Sequence, residues 1–504
     1  MLDARGPGET LVTDAATSPT PRWKIVLLQL VVLYLLGLKL WFSLDVSPMG
    51  DEAYYWMWGQ HLSWSYFDHP PLDGWLQGLV AAIFGWSNLS VRFLSWMTLI
   101  GTLWILWLWS GRLAPEDREG WFWHSAVIYL TIPVVFLMTS FAFHDHLLMF
   151  FVAASLYAFH GFAGDWENGI RRWRKLYAAA ALLGLAVLTK YNGVFLGLGY
   201  AAWVLVRPKL RGLLLTPQLW LAALLAIAIQ APVLYWNLTV GMVSFRFHFG
   251  DRPTANWGEP RFGQLLSYVA TTLLLASPVL MLSLFRLPFL RRGDEEQGRA
   301  IGLSSAVFLT STLGWGVVSL YVYVYFHWNV VAYVALTAIG YRVLGGRILF
   351  ALHVAYGLVI ITVAMLNYTV TPFKFLGFGD TGAAGAHGWV EIGERIAAQQ
   401  AAHPGSFLGA SRYTYAAQLG FVLHDTDVAA FNPVRSQNDY WWDATAHAGQ
   451  DAILLADGTF PIDSARDRFE SIERLETVPV IDRFGTTIWS YELWLGRGFR
   501  PAAP

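Results

Sequence analysis

Residues 25–44 read IVLLQLVVLYLLGLKLWFSL, an apolar run interrupted by a single charge, Lys39. A helix over that stretch, rising 1.5 Å per residue, covers the ~30 Å hydrocarbon layer of a bilayer. No small-residue cleavage site follows, so the run reads as a retained first span rather than a signal peptide. Residues 1–22 before it are rich in Gly, Pro, Thr and Asp and read as a disordered tail.

Further apolar runs follow at 91–110, 121–140, 145–163, 176–189, 192–206, 218–236, 264–285, 300–322, 325–342 and 348–371. With the first they make about eleven helices, and 73–85 could add an interfacial or re-entrant one, so the expected range is about 11–13. Over the 504 residues, 55% are hydrophobic and only 14% charged, well short of the ~25% usual in soluble domains. A net charge of -1 supplies no cationic field for nucleic acid, and the absence of cysteine excludes disulfides and thiolate chemistry. Basic residues recur in every second loop. They stand before span one (Arg22, Lys24) and after span two (Arg112, Arg118). They recur after span four (Arg171, Arg172, Arg174, Lys175), span six (Arg207, Lys209, Arg211), span eight (Arg286, Arg291, Arg292, Arg299) and span ten (Arg342, Arg347). The positive-inside rule then places the N-terminal tail in the cytoplasm and the chain's C-terminal end outside.

Three regions result: a cytoplasmic tail over 1–22, a transmembrane module over 23–373 with a long external loop at 45–90, and a periplasmic α/β domain over 374–504. In the last, Ser406–Ala410, Val428–Phe431, Ala452–Ala456 and Thr487–Tyr491 read as short strands, and 388–401 and 412–422 as helices.

Chemistry-bearing residues collect on the side assigned to the outside. The first loop carries Asp51-Glu52-Ala53-Tyr54-Tyr55-Trp56 and then Tyr66-Phe67-Asp68-His69-Pro70-Pro71. A carboxylate at a partly desolvated edge makes a general base; the competing role for Asp51 and Glu52 is to cap the aromatic helix that follows. Asp145, within Phe143-His144-Asp145-His146, poses the same choice between a costly functional charge and a helix cap. Cations at the outer ends of different spans, Arg92, Lys190, Arg246 and His327, could together hold a phosphate, although any one alone could be snorkelling.

The first-loop string resembles that of the bacterial GT-C glycosyltransferases, in particular the dolichyl-phosphate-mannose protein mannosyltransferase-like proteins (glycosyltransferase family 39) and their aminoarabinose–lipid A transferase branch. Leu188-Thr189-Lys190-Tyr191, Pro232-Val233-Leu234-Tyr235-Trp236-Asn237, Ser244-Phe245-Arg246-Phe247, His327-Trp328-Asn329 and Ser411-Arg412-Tyr413 are similar too, in the same order over about residues 22–445. The resemblance implies a GT-C membrane fold in the bacterial inner membrane. It also implies inverting transfer of a sugar from a polyprenyl phosphate to an acceptor lipid, glycan or protein at the periplasmic face. It would make Asp51 the catalytic carboxylate and Asp145 the second acid. Lys190 and Arg246 would bind the donor phosphate, with Tyr55, Tyr66 and His327 lining that pocket. The aminoarabinose transferases carry an acid–lysine pair before the two prolines, where this chain has Asp68 and His69. A histidine there makes a fixed cation pH-dependent and could mark a different donor sugar. No cofactor is implied, although Asp68, His69 and His248 could hold a divalent metal ion.

A transporter or flippase of a lipid-linked sugar is the competing class. It calls for charges near the bilayer midplane and a repeated half, whereas here the charges gather at one surface and no repeat is visible. The topology has a direct test. A reporter enzyme active only outside the cytoplasm is expected to be active when fused at residue 64 and inactive when fused at residue 170; the reverse pattern contradicts the assigned orientation.

Overall fold

The computed structural model describes residues 19–251, 259–290, 294–375 and 378–501. The tail expected over 1–22 therefore falls mostly outside the described residues. Helix α1, Arg22–Asp45, buries a single stripe, Ile25, Leu28, Val32, Leu35 and Phe42, at the three- and four-residue spacing of one helix face. Its opposite face is equally apolar but open, with Leu30 at 55% and Leu33 at 66% exposure. Such a helix needs lipid on its outer side. Helix Arg347–Thr369 has the same character, burying Gly357, Ile361 and Met365 while Ile348 and Val359 face outward. A Cβ on Gly357 would collide with the backbone of Thr131, the close approach that small residues allow between membrane helices.

Each of the eleven expected apolar stretches is occupied by helix, in four ways. Five form single long helices: α1, Phe93–Leu113, Asp145–Glu167, Glu295–Val318 and Arg347–Thr369. Two coincide with helix pairs bent by 80° and 100° at Pro133 and Pro278, where proline cannot donate to the ladder and forces a break; one, 218–236, is divided into Pro217–Ala228, itself bent by 78° from Pro208–Leu215, and Ala231–Thr239. Three are shorter: Trp173–Thr189, Val194–Val206, and a stretch split into Val330–Thr337 and Gly340–Leu344. By length and composition, then, five helices among the described residues can cross a membrane, or up to eight when each bent pair counts as one span.

At one end of the bundle, α2 (Gly50–Gln60) and α3 (Leu72–Phe84) follow α1, and the interfacial helix expected at 73–85 is α3. The helix Phe93–Leu113 is α4, Asp145–Glu167 is α5 and Trp173–Thr189 is α6. A buried ion pair ties these parts. Arg92 Nε and Nη2 donate to the two oxygens of Glu52 at 2.9 and 2.6 Å. The remaining guanidinium protons go to backbone carbonyls at the end of α1, those of Phe42, Val46 and Ser47. Glu52 also accepts from the N–H groups of Met49 and Ala142. Both side chains have no exposure. All five N–H donors of Arg92 are thereby used.

The C-terminal domain is a five-stranded sheet with helices α7 (Trp389–Ala402) and α8 (Tyr413–Leu423). Its strands are β1 (Phe407–Ala410), β2 (Val428–Ala430), β3 (Ala452–Asp457), β4 (Ser471–Ile481) and β5 (Thr487–Arg497), in the order β2-β1-β3-β5-β4. Strand β1 is parallel to β2 and β3, while β3, β5 and β4 run antiparallel. The run Ala-Ile-Leu-Leu-Ala-Asp of β3 is buried throughout, as a strand covered on both faces must be. Strand β4 was absent from the sequence expectation because its largely exposed, charge-bearing residues mask the alternation of an edge strand. The domain docks on α2. Tyr54 accepts from Gln437 N at 2.6 Å, Gln437 Oε1 accepts from Phe67 N at 2.6 Å, and Gln418 donates to Pro48 O at 3.0 Å.

Removing either partner of the Glu52–Arg92 pair leaves an uncompensated buried charge. Glu52→Gln and Arg92→Gln are each expected to cost about 3–5 kcal/mol. The cost is read as a lowered Tm in detergent-purified protein, and an unchanged Tm would show that the clamp is dispensable.

Candidate active site

Successive residues on a helix point about 100° apart, so the adjacent acids of α2 diverge. Glu52 turns inward to Arg92. Asp51 turns to a cavity of about 320 Å³ whose wall it shares with Arg412, Tyr415, Phe460, Trp489 and Tyr491 of the C-terminal domain. Gly50 permits this approach, since a Cβ there would lie 2.7 Å from the Cβ of Thr414. Burial pushes the Asp51 carboxyl above its ordinary range, an effect opposed by the positive fields of Arg412, His144 and Lys190. The carboxylate therefore feels cations of both parts of the molecule, Arg412 of the C-terminal domain and His144 and Lys190 of the membrane module.

On the membrane side, α6 ends at Thr189 and the backbone becomes extended at Lys190. Its ammonium reaches Asp145, the first residue of α5, at 2.9 and 2.8 Å to the two oxygens, and both side chains are buried. His327 lies within electrostatic reach of the same aspartate. Nearby, Asn192 Nδ2 donates to Trp328 O at 3.0 Å, tying the loop after α6 to the His327 segment. An ammonium has three donors, so Lys190 can hold Asp145 and still offer a proton to a phosphate oxygen.

Tyr55 links the two sides. Its ring lies 3.9 Å from that of His144 and 6.0 Å from that of His69, centroid to centroid. Burial and the neighbouring Asp51 and Asp68 charges hold the Tyr55 phenol well above its usual value. Asp68 is in hydrogen-bond range of Tyr54 at 3.5 Å, and its backbone carbonyl meets His248 Nε2 at 2.9 Å. The rings of His69 and His248 are 6.4 Å apart. The metal expectation at Asp68, His69 and His248 finds no matching geometry: no group of three or more His, Cys, Asp or Glu among the described residues is arranged to hold a metal ion.

Three expected site residues stand elsewhere. Glu52, expected to be catalytic, and Arg92, expected to bind phosphate, have their charges and hydrogen bonds spent on each other and on backbone. Tyr66 is fully buried, stacked on Trp58 at 4.3 Å, and donates to Trp58 O at 2.9 Å, so it supports the pocket from behind. Arg246 is exposed and makes no ion pair among the described residues. It ends a four-residue helix, Val243–Arg246, whose Ser244 Oγ donates to Tyr66 O at 3.1 Å.

Asp73 and His144 are not among the site residues expected from sequence. Asp73 Oδ2 meets His144 Nδ1 at 2.8 Å, both buried, while His144 Nε2 has no hydrogen-bond partner among the described residues. In sequence Asp73 looks like any acid in the first turn of a helix. Arg412 carried only a family likeness, because its facing Asp51 depends on how the C-terminal domain docks.

Comparison with known proteins bears on this arrangement. A family model described as dolichyl-phosphate-mannose-protein mannosyltransferase matches residues 68–236. The lipid A galacturonosyltransferase RgtD of Rhizobium johnstonii is 28% identical over 320 residues, 60% of this chain and 63% of the relative. An undecaprenyl phosphate-alpha-4-amino-4-deoxy-L-arabinose arabinosyl transferase of Shewanella sediminis is 27% identical over 125 residues, 25% of this chain and 22% of the relative. The chain thus spans less than two thirds of the length of either curated relative. The crystal structure of ArnT from Cupriavidus metallidurans bound to undecaprenyl phosphate superposes with a TM-score of 0.63 at 15% identity, covering 94% of this chain and 98% of ArnT. The apo form gives 0.61 over the same shares. At that identity the superposition gives the fold, a helical membrane module with a small C-terminal sheet domain. The matched family model, the two curated relatives and the shared fold all agree with the resemblance carried by the first-loop motifs.

Proposed function

We propose that this chain is an inverting glycosyltransferase that moves a sugar from a polyprenyl phosphate to a hydroxyl acceptor at the periplasmic face of the bacterial inner membrane. The acceptor class comprises lipid A or lipopolysaccharide, another envelope glycan or lipid, or a protein. The observation that carries the reading is the setting of Asp51, a partly desolvated carboxylate that lines a cavity with Arg412 and feels the positive fields of Arg412, His144 and Lys190. The names of the two relatives, a lipid A galacturonosyltransferase and an undecaprenyl-phosphate-dependent arabinosyl transferase, support it. So does ArnT, which shares the fold and was crystallised with undecaprenyl phosphate. The alternating basic loops support the orientation.

In this reaction Asp51 takes the proton of the acceptor hydroxyl as its oxygen bonds to the anomeric carbon. The bond from that carbon to the phosphate oxygen breaks on the opposite face, and configuration inverts. Sugar hydroxyls are weak nucleophiles, so a base contributes roughly 10²–10⁴-fold. A phosphate leaving group needs its growing charge met by cations more than it needs a proton. Lys190, aimed by Asp145, supplies that charge, with Arg246 at the rim and His327 and Tyr55 lining the pocket.

Asp51→Asn is expected to lower kcat by about 10²-fold or more with little change in the donor KM. The test is mass spectrometry of envelope lipids and glycans from a deletion strain complemented with each form. Full restoration of the missing sugar by Asp51→Asn would refute the base assignment. Because burial raises the Asp51 pKa, its active, ionised form is lost at a higher pH than for a free aspartate. The acid limb of kcat/KM is therefore expected above about pH 3.9. Lys190→Ala is expected to weaken binding of undecaprenyl phosphate by about tenfold or more, as for loss of a charge-assisted contact; unchanged binding would remove Lys190 from the donor site.

A further inference from the structure

The turn that joins β4 to β5 reaches back to the membrane module. It reads Asp482-Arg483-Phe484-Gly485-Thr486. Asp482 Oδ1 accepts from the backbone N–H groups of Phe484 and Thr486, each at 2.9 Å, and Gly485 takes the left-handed conformation the turn requires, at φ +81°. The other carboxylate oxygen accepts from Thr371 Oγ1 at 2.7 Å, just beyond the end of helix Arg347–Thr369. Arg483 pairs with Asp45, the last residue of α1. One turn is thus fastened to the ends of two helices whose outward faces are apolar and open.

These bonds use the polar side chains of the turn and leave Phe484 uncovered, at 72% exposure, with Ile481 at the end of β4 at 50%. Turn positions ordinarily carry Gly, Pro, Asn, Asp or Ser. A lone exposed phenylalanine would still need no explanation; its place is what distinguishes it. Next to Asp45 in the chain stands Leu44, and near Thr371 stands Phe373, both exposed. The apolar run of α1 stops at Asp45, so the turn lies at the level where hydrocarbon gives way to headgroups. Aromatic rings gather at that level in membrane proteins.

We propose that the β4–β5 turn is a membrane anchor: Phe484, followed by Ile481, enters the leaflet on the Asp51 side of the bilayer, and the partner of this surface is lipid. The exposed apolar residues of the turn adjoin the lipid-facing ends of α1 and of helix Arg347–Thr369, which favours lipid over a second copy of the chain. Strand β5 runs from the turn to Trp489 and Tyr491 in the cavity wall, so the anchor sets the height of that wall over Asp51. The anchor does not depend on the transferase reading.

The chain has no cysteine, so one introduced thiol carries one nitroxide label. The reference site is Ala448, exposed and at the other end of the sheet, where Gly449 N donates to Phe499 O just past the end of β5. Eleven strand residues separate the two ends by roughly 35 Å. The full-length chain is labelled as Phe484→Cys or Ala448→Cys, placed in lipid nanodiscs, and its spin relaxation measured with oxygen, which concentrates in lipid, and with a nickel chelate, which stays in water. The ratio of oxygen to nickel collisions is expected to be several-fold higher at 484 than at 448. A label at Thr486→Cys beside native Phe484 should also read as lipid-facing, and adding Phe484→Asp should bring it to the value at 448. Equal ratios at 484 and 448, or a Thr486 reading indifferent to Phe484→Asp, would overturn the anchor. Spin–spin broadening at 484 that vanishes on dilution with unlabelled chain would put a second copy on the turn and overturn it too.

Discussion

The buried pair between Glu52 and Arg92 holds together the end of the molecule that carries Asp51. One guanidinium closes on the carbonyls that end α1, on the carboxylate of α2 and, from its place at the head of α4, on the turn between them. The same carboxylate takes the N–H of Ala142 just before α5. Four segments, spread from the end of α1 to the start of α5, meet at two side chains. Burying two charges is costly, and the cost is tolerable here because every donor of Arg92 and both oxygens of Glu52 are satisfied. The geometry of everything beyond this point depends on it, since α2 carries Asp51 one residue away.

Adjacent acids on one helix thus divide the labour. Glu52 is neutralised and structural, while Asp51 remains a carboxylate whose basicity is raised by burial and restrained by Arg412, His144 and Lys190. Asp145 and Lys190 form a second buried pair, again with one partner serving to aim the other. The site lies where the membrane module and the C-terminal sheet domain meet, with docking contacts from Gln418 and Gln437 closing α2 beneath α8. Asp145 and Lys190 stand at helix ends of the membrane module, and Arg412 comes from the other domain.

Much of this was legible in the chain because lipid imposes long apolar runs. The eleven stretches were readable as helix, and the aromatic loop with its acids announced itself by being too apolar for a solvated linker. The bends at Pro133 and Pro278 and the break between Ala228 and Ala231 shorten what apolar composition alone suggests. Orientation of side chains was the harder matter. Asp51 and Glu52 are indistinguishable as letters, and only the partner across the fold separates the acid that lines the cavity from the one paired with Arg92. Arg92 looked like a surplus outer cation until its carbonyl and carboxylate partners came into view. Asp73 and Arg412 carried no local signal, since the contacts that matter cross 71 residues in one case and the domain boundary in the other. The edge strand Ser471–Ile481 was hidden by charge for the same reason: its partner strand decides its state.

The central claim is inverting transfer from a polyprenyl phosphate with Asp51 as base. NMR coupling at the anomeric carbon reads it most directly, comparing the donor that accumulates when the gene is deleted with the finished envelope product of the intact strain. The account predicts opposite anomeric configurations in the two. The same configuration in both would contradict it.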